Sequence, residues 1–300
     1  MPARDRPVAT PQASTLIVDR GTTALVVDST ADLPDNLAHD PNITIVPLTV
    51  LFGEEAYLDW VELKPEQFYE KLAVSARLPT TSQPPPGVWV DLYRRLRERY
   101  QKVYSVHLSA EFSGTYATAR TAAAQVEGVT VVDSRLATGG IALLVDRMME
   151  RIGRGVPERE FDDYIDYFRS HSTFLFVPTT LDYLYKGGRI GRASHLVGTL
   201  LNIKPVLTIE DGVADVFKKT HGLRQALETM RDGLIARTDP DSDVFANLSH
   251  GLNLPAMEQL RELLLAVTDR RIHLRPPSIV GPVIGTYSGP KAVGLCFVQE

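Results

Sequence analysis

Two strand–helix units follow one another near the middle of the chain, and they constrain the fold more than any other feature. The first has an apolar strand at 103–106 and an alanine-rich helix that we predict over 113–126. The second has a strand at 129–133 and a helix over 137–152. Strands that alternate with helices indicate parallel βαβ units. We therefore expect a parallel sheet, with the hydroxyl-rich turns after its strands lying along one edge.

The second half of the chain has a different pattern. Apolar runs at 206–209 and 213–217 stand on either side of Asp211-Gly212, a pair that favours a hairpin turn. An amphipathic helix is predicted where four apolar side chains recur at positions i, i+3, i+4 and i+7. These side chains are Phe161, Tyr164, Ile165 and Phe168. This half is therefore expected to mix antiparallel strand pairs with helices.

A chain of 300 residues is long enough for about two domains. We predict an α/β fold with an N-terminal parallel βαβ domain at 23–160 and a C-terminal mixed α/β domain at 161–300. Residues 1–22 carry three prolines among small and charged residues, and we expect them to form a disordered arm.

Composition excludes several classes of protein. The net charge is −5, from 32 basic and 37 acidic residues, whereas a nucleic-acid-binding protein is typically basic. No apolar run approaches the roughly 20 residues of a membrane span, and no signal peptide is recognisable. The only cysteine, Cys296, lies in an apolar run, so we expect a buried and inert thiol. We expect a cytoplasmic protein with no stable membrane insertion.

The common motifs of nucleotide-binding, zinc-peptidase and hydrolase enzymes are absent from the sequence. There is no phosphate-binding P-loop, dinucleotide fingerprint, His-Glu-x-x-His pair or Gly-x-Ser-x-Gly elbow. The seven histidines show no short metal-ligand spacing. We therefore expect neither a cofactor nor a metal ion, and we name no catalytic residue.

Hydroxyl side chains in two loops are the candidate binding groups. Thr81 and Ser82 belong to one loop, and the other contains Ser109 followed by Ser113-Gly114-Thr115 at a predicted helix start. A helix N-terminus offers free N–H groups and a positive dipole end, which suit an anion. Gly114 would let a ligand approach the backbone. These neutral donors could bind a carboxylate or a phosphate without an arginine or lysine.

Other interpretations of these segments stay open. Ser113 alone is more simply explained as a helix N-cap, although capping and ligand binding are compatible. The acidic turn at 28–32 is expected to cap itself rather than to hold a metal. The basic turn at 186–192 either ends a helix or contacts a phosphate or an acidic partner, since Arg189 and Arg192 exceed what a cap needs.

Seven segments in order, spread over roughly residues 23–298, resemble one family of proteins. They lie at 28–34, 81–84, 109–116, 133–134, 184–190, 201–205 and 285–290. Their sequences are DSTADLP, TSQP, SAEFSGTY, DS, LYKGGRI, LNIKP and GTYSGP. Together they resemble the DegV family of bacterial fatty-acid-binding proteins.

The resemblance implies two α/β domains with a long-chain fatty acid, such as palmitate, buried between them. It implies that the positions matching Thr81 and Ser113 hold the carboxylate and that an apolar tunnel holds the acyl chain. It also implies a carrier rather than an enzyme, which presents the acid to a separate ATP-dependent fatty acid kinase that makes an acyl phosphate. On this basis Lys186, Arg189 and Arg192 are candidate contacts for that kinase.

The sequence departs from the family pattern near the expected site. His221 stands where the family usually has Arg, Tyr287 where it usually has His, and Lys291 where Gly is frequent. Tyr287 could donate a hydrogen bond to the carboxylate, and His221 could replace the missing histidine. The alternative from a different class is a phosphosugar-binding enzyme that uses the Ser113-Gly114-Thr115 helix start as its phosphate site.

Overall fold

The structure is a computed structural model that describes residues 16–196 and 203–300. Its α-helices are α1 Asp35–Ala38, α2 Pro65–Val74, α3 Pro86–Arg97, α4 Thr115–Ala123, α5 Gly139–Arg154, α6 Glu158–His171, α7 Asp182–Lys186, α8 Leu223–Ala236, α9 Leu254–Leu265 and α10 Pro282–Ser288. Short 3-10 helices lie at Ser29–Ala31 and Gly191–Leu196. The strands of the first half are β1 Ile17–Val18, β2 Thr23–Asp28, β3 Ile43–Val46, β4 Thr49–Phe52, β5 Glu55–Leu58, β6 Thr80–Ser82, β7 Lys102–His107 and β8 Val129–Asp133. Those of the second half are β9 Val156–Pro157, β10 Thr173–Val177, β11 Lys204–Glu210, β12 Val213–Thr220, β13 Asp243–His250, β14 Arg271–Leu274, β15 Ser278–Ile279 and β16 Val293–Gln299.

The N-terminal half is built on a four-stranded parallel sheet. Its order is β3-β2-β7-β8, and each neighbouring pair is parallel. Because a parallel pair needs a crossover, the segment with α1 connects β2 to β3 and α4 connects β7 to β8. Strands β4, β5 and β6 form a separate antiparallel sheet with the order β5-β4-β6, and α3 leads from it to β7. The predicted parallel βαβ architecture is confirmed, although α4 and α5 each begin two residues later than expected.

The C-terminal half contains a larger mixed sheet with the order β12-β11-β10-β16-β13-β14, and β15 pairs with β13. The predicted hairpin is confirmed, because β11 and β12 are antiparallel and Glu210 lies opposite Val213. Asp211 and Gly212 between them both have positive φ, at 52° and 80°, as the tight hairpin turn requires. This half therefore mixes antiparallel and parallel pairs, as the sequence indicates.

Strand β1 lies in the segment expected to be a disordered arm. Ile17 and Val18 pair with β9, and the Val18 side chain is fully buried in the main core. The short apolar cluster at 16–18 is thus ordered because it buries apolar surface. Residues 1–15 of the expected arm lie outside the described residues.

Helices α5 and α6 belong to the core that joins the two halves. Phe161 and Phe168 of α6 are fully buried, together with Tyr104 of the first sheet and Cys296 of the second. Tyr164 and Ile165 are buried as well, which confirms the predicted amphipathic helix. Burial raises the pKa of the Cys296 thiol, as expected for an inert cysteine. The boundary between 160 and 161 stays a prediction, since these helices pack against both sheets.

No helix within the described ranges is long and apolar enough to cross a lipid bilayer.

Candidate functional site

A cavity lies where the carboxyl ends of the parallel strands meet the large sheet and α10. Sites in α/β proteins commonly lie at this end of a parallel sheet. The walls are mostly apolar side chains from both halves of the chain. They include Leu48, Leu108, Phe112, Ala137, Phe174, Phe176, Leu184, Ile209, Ala214, Val280, Val283, Ile284, Ala292 and Val293. The cavity thus combines elements that are far apart in the sequence.

Thr81 and Tyr287 form one polar group on the cavity wall. Thr81 lies on β6 and Tyr287 on α10, and their hydroxyl oxygens are 2.7 Å apart. Both residues are half-buried, so their oxygens can reach a ligand in the cavity while retaining each other as partner. Tyr287 therefore places a hydroxyl beside Thr81 at the position where the family usually has His.

Ser113 also lines the cavity, just before α4 begins at Thr115. Its Oγ accepts the Thr115 N–H at 3.2 Å and lies 2.8 Å from the Thr115 Oγ1. The N-cap residue is Gly114 and not Ser113. The helix therefore begins one residue later than it would if Ser113 were the N-cap. Thr115 is buried beneath this turn and is not part of the cavity wall.

Gly114 makes room for a protein side chain in this structure. A Cβ at Gly114 would lie 2.5 Å from the Gln83 Oε1. Gln83 crosses over this point to donate from Nε2 to the Thr118 Oγ1, also at 2.5 Å. The small size of Gly114 therefore lets the loop at 80–84 dock on the start of α4, which holds Thr81 and Ser113 in one wall.

Arg189, predicted to contact a partner, lies on the cavity wall. Its Nε donates to the Phe112 carbonyl at 3.1 Å, and its Nη1 donates to the Gly187 carbonyl at 2.7 Å. The guanidinium lies 4.7 Å from the ring centre of Tyr287. Two carbonyl acceptors and an aromatic face thus fix a cation next to the Thr81–Tyr287 pair. The polar part of the cavity is cationic, and is not built from neutral donors alone.

The other two basic residues of this turn differ from Arg189. Arg192 donates from Nε to the Asp215 Oδ2 at 2.8 Å and from Nη2 to the Glu210 carbonyl at 2.8 Å. It is therefore engaged with the β11–β12 hairpin. Lys186 is exposed at the end of α7. Lys186 and Arg192 therefore lie outside the cavity wall, whereas Arg189 is part of it.

Three further candidates lie away from the cavity. Ser82 follows Thr81 on β6 and is exposed, since successive side chains of a strand point to opposite faces. Ser109 is buried and donates to the Gly212 carbonyl at 2.7 Å, which ties the β7–α4 loop to the hairpin. His221 is exposed after β12, where its backbone N–H donates to the Gln225 Oε1. The structure does not bring His221 to Tyr287.

Buried carboxyl groups under the cavity were not among the candidate residues. Asp32 Oδ1 accepts from the Trp60 Nε1 at 2.9 Å and from the Gly281 N–H at 3.0 Å. Asp59 Oδ1 accepts from the Val283 N–H at 3.3 Å. Both acids therefore bind the start of α10, the helix that carries Tyr287. Nothing in the sequence distinguishes Asp59 from the exposed acidic residues, because its burial depends on tertiary packing.

Burial determines the ionisation of these two acids. Loss of solvent raises the pKa of Asp59 to about 7, and it raises the pKa of Asp32 well above its usual value, with the nearby Asp59 charge adding to the effect.

The predicted capping turn is confirmed, since Asp28 Oδ1 accepts the Thr30 N–H at 3.1 Å. No cluster of three or more acidic, histidine or cysteine side chains within 16–196 and 203–300 is arranged to hold a metal ion.

Comparison with known proteins supports the resemblance seen in the sequence. The family model described as "Uncharacterised protein, DegV family" matches residues 22–300. The chain belongs to the DegV family. Lys291, which stands where this family often has Gly, adopts a φ of 62°, a conformation that Gly reaches without steric cost.

Individual relatives cover nearly the whole chain. A DegV domain-containing protein of Halalkalibacterium halodurans is 36% identical over 281 residues, which are 92% of this chain and 98% of that protein. The structure of a fatty-acid-binding DegV family protein from Thermus thermophilus has a TM-score of 0.89 and 32% identity, covering 93% of this chain and 100% of that one. DegV of Bacillus subtilis, described as a fatty acid binding protein, has a TM-score of 0.82 and 30% identity, covering 93% and 99%.

Proposed function

We propose that this protein binds one long-chain fatty acid in the cavity. The observation that carries the proposal is a single cavity with apolar walls and one cationic, hydroxyl-bearing part. The carboxylate lies at Thr81, Ser113, Tyr287 and Arg189, and the acyl chain follows the apolar walls. The fatty-acid-binding descriptions of the Thermus and Bacillus relatives support the same ligand.

The two parts of the cavity contribute differently to binding. Each buried CH₂ contributes about 0.8 kcal/mol, so the acyl chain supplies most of the affinity. Hydrogen bonds to a charged group contribute about 1.5–3 kcal/mol each, and they select a carboxylate over a neutral lipid end. Arg189 balances the ligand charge in a protein whose overall charge is −5. On this proposal the protein is a carrier of the fatty acid.

Palmitate binding to a Thr81→Ala/Ser113→Ala double variant tests this proposal. Loss of two hydrogen bonds to a charged group should weaken binding more than tenfold. The matched control is Ser82→Ala, which removes the adjacent exposed hydroxyl and should bind like the wild type. Equal affinity of the double variant and the wild type would contradict the proposed carboxylate position.

The phosphosugar alternative is tested in the same samples. Its phosphate would lie at Ser113-Gly114-Thr115, but the apolar walls beside that turn offer a sugar few hydrogen-bonding partners. Palmitate, and not glucose 6-phosphate, should therefore raise the melting temperature. Stabilisation by the sugar phosphate alone would favour the alternative.

Presentation of the fatty acid to a separate ATP-dependent kinase is the finer part of the proposal. The sequence has no P-loop or dinucleotide fingerprint, so phosphorylation of the bound acid needs another protein. Lys186 is exposed on α7, whose Leu184 lines the cavity, and it is a suitable contact for an acidic partner surface. An ATP-dependent partner also fits the cytoplasm as the compartment.

Acyl phosphate formation with the cognate kinase tests this part. Lys186→Glu should lower the rate while leaving the amount of bound fatty acid unchanged. Arg95→Glu is the matched control, because Arg95 is exposed on α3, which contributes no residue to the cavity wall. Lack of product from the wild type, with a kinase that works on another carrier, would contradict the partnership.

A further inference from the structure

A second polar group lies in the cavity at the start of α5. Thr138 and Ser249 both line the cavity, and both are buried, with 5% and 2% of their surface exposed. The Thr138 Oγ1 is fully buried, and it accepts no hydrogen bond within the described residues. A buried oxygen without a donor is costly, so it needs an explanation in a wall that is otherwise apolar.

Ser249 and Asn247 complete this group from β13. They lie on one face of the strand, two residues apart, against Gly139 at the first position of α5. A Cβ at Gly139 would overlap the Asn247 Oδ1 and lie 3.1 Å from the Ser249 Cβ. The Asn247 Nδ2 donates to the Pro276 carbonyl at 2.8 Å, but its Oδ1 is buried without a partner in the described chain. The Asn247 Oδ1 thus lies without a donor against Gly139, the residue that follows Thr138.

Gly294 leaves the Ser249 hydroxyl accessible from the cavity. Ser249 pairs with Gly294 across β13 and β16, and a Cβ at Gly294 would overlap the Ser249 Oγ. Gly294 itself lines the cavity, so only a backbone lies beside this hydroxyl. Ser249 makes no side-chain hydrogen bond among the residues that the structure describes, and can therefore donate to a ligand.

Thr138 is held rigidly in this position. Its backbone has φ 44° and ψ −127°, which is a strained conformation for a β-branched residue. Its N–H donates to the Thr30 carbonyl at 2.9 Å. Its hydroxyl donates toward the Asp32 carboxyl, which lowers the pKa of that group in part and leaves the Thr138 oxygen free to accept a hydrogen bond. The site is thus preformed.

The distance from the carboxylate position follows from α10. Asp32, beside Thr138, binds the Gly281 N–H at the start of this helix, whereas Tyr287 lies near its end. Six residues at about 1.5 Å per residue separate Gly281 from Tyr287 by roughly 9 Å along the helix axis. An acyl chain anchored at Tyr287 that runs toward the start of α10 therefore reaches the side of the cavity with Thr138 several carbons beyond its carboxylate.

From this placement we infer that the cavity has a subsite for a hydroxyl group in the middle of the acyl chain, so that mid-chain hydroxy fatty acids are ligands. The inference rests on the proposed fatty-acid binding. A hydroxyl is both donor and acceptor, so it can donate to the Thr138 Oγ1 and accept from Ser249, the two side chains of this group that line the cavity. A plain alkyl chain offers neither of them a hydrogen-bond partner.

Competitive binding of stearate, 10-hydroxystearate and 2-hydroxystearate to the delipidated full chain tests the inference. The wild type should bind 10-hydroxystearate at least as tightly as stearate. Ser249→Ala should weaken 10-hydroxystearate at least fivefold while stearate binds equally or more tightly. Thr138→Val keeps the shape and should act in the same direction, whereas exposed Ser82→Ala should change neither ligand.

The outcomes separate this inference from the proposed function. If stearate binds but 10-hydroxystearate binds more than tenfold less tightly to the wild type, the subsite is refuted and fatty-acid binding stands. If Ser249→Ala changes both ligands equally, the group holds only water and the subsite is refuted. Preference for 2-hydroxystearate would refute the mid-chain position. If no fatty acid binds, the proposed function fails, and the subsite fails with it.

Discussion

Asp59 should make the stability of this protein fall as the pH rises from about 4 to 7. Its side chain is almost completely buried, and the loss of solvent outweighs the hydrogen bonds from Ser29 and the Val283 N–H, which favour the ionised form. The folded protein therefore holds Asp59 protonated over a range in which the unfolded chain ionises it. An acid with a raised pKa contributes stability at low pH, which is lost as the pH rises through the folded-state value.

The magnitude follows from the pKa of Asp59, which rises from 3.8 to about 7. A rise of about three pH units, at about 1.4 kcal/mol per unit, corresponds to about 4 kcal/mol of unfolding free energy. Asp59→Asn keeps an acceptor for the Val283 N–H and cannot ionise. Relative to the wild type, this variant should gain up to about 4 kcal/mol between pH 4 and pH 8.

Urea unfolding of ligand-free protein at several pH values between 4 and 8 measures this difference. The ligand must be removed, because a ligand that binds only the folded state adds its own stability. Asp91→Asn removes an exposed acid on α3 and controls for the loss of one negative charge. Parallel pH profiles for the wild type and Asp59→Asn would refute the reasoning, since they would show that Asp59 ionises equally in both states.

Two further predictions concern the cavity and the core. Arg189→Gln should weaken palmitate binding about tenfold or more, because it removes the cation beside Tyr287. His221→Ala, at an exposed position, should bind palmitate like the wild type. Equal effects of the two substitutions on the affinity measured by calorimetry would contradict the assigned positions. Phe161→Ala should lower the unfolding free energy by about 3–5 kcal/mol in urea titrations. Phe161 is fully buried, and its ring centre lies 4.8 Å from that of Tyr104. A loss below about 1 kcal/mol would show that the core collapses around the gap.

Local sequence patterns were sufficient to predict the parallel sheet, the hairpin and part of the candidate site. The strand–helix alternation and the Asp211-Gly212 turn are short-range signals, so the parallel sheet and the hairpin follow from the sequence. Ser113 lies in the loop after the parallel strand β7, where a site is expected, whereas Thr81 lies on β6, which pairs antiparallel with β4, so their common wall depends on how the two sheets pack. Tyr287 joined them only through the family resemblance, since 206 residues separate it from Thr81.

Long-range packing determines what the sequence could not predict. Arg189 and Arg192 look equivalent in the basic turn, but one lines the cavity and the other pairs with Asp215. Their separation depends on where the β11–β12 hairpin docks. His221 matches a family position that usually carries Arg, yet it lies on the surface after β12. Residue type alone cannot show which side of a strand end faces the cavity.

Native mass spectrometry of the freshly purified full chain tests the central claim most directly. We predict one additional mass, equal to that of a single long-chain fatty acid, which disappears on denaturation and returns when palmitate is added to the delipidated protein. A bare chain that takes up no added palmitate would contradict the account.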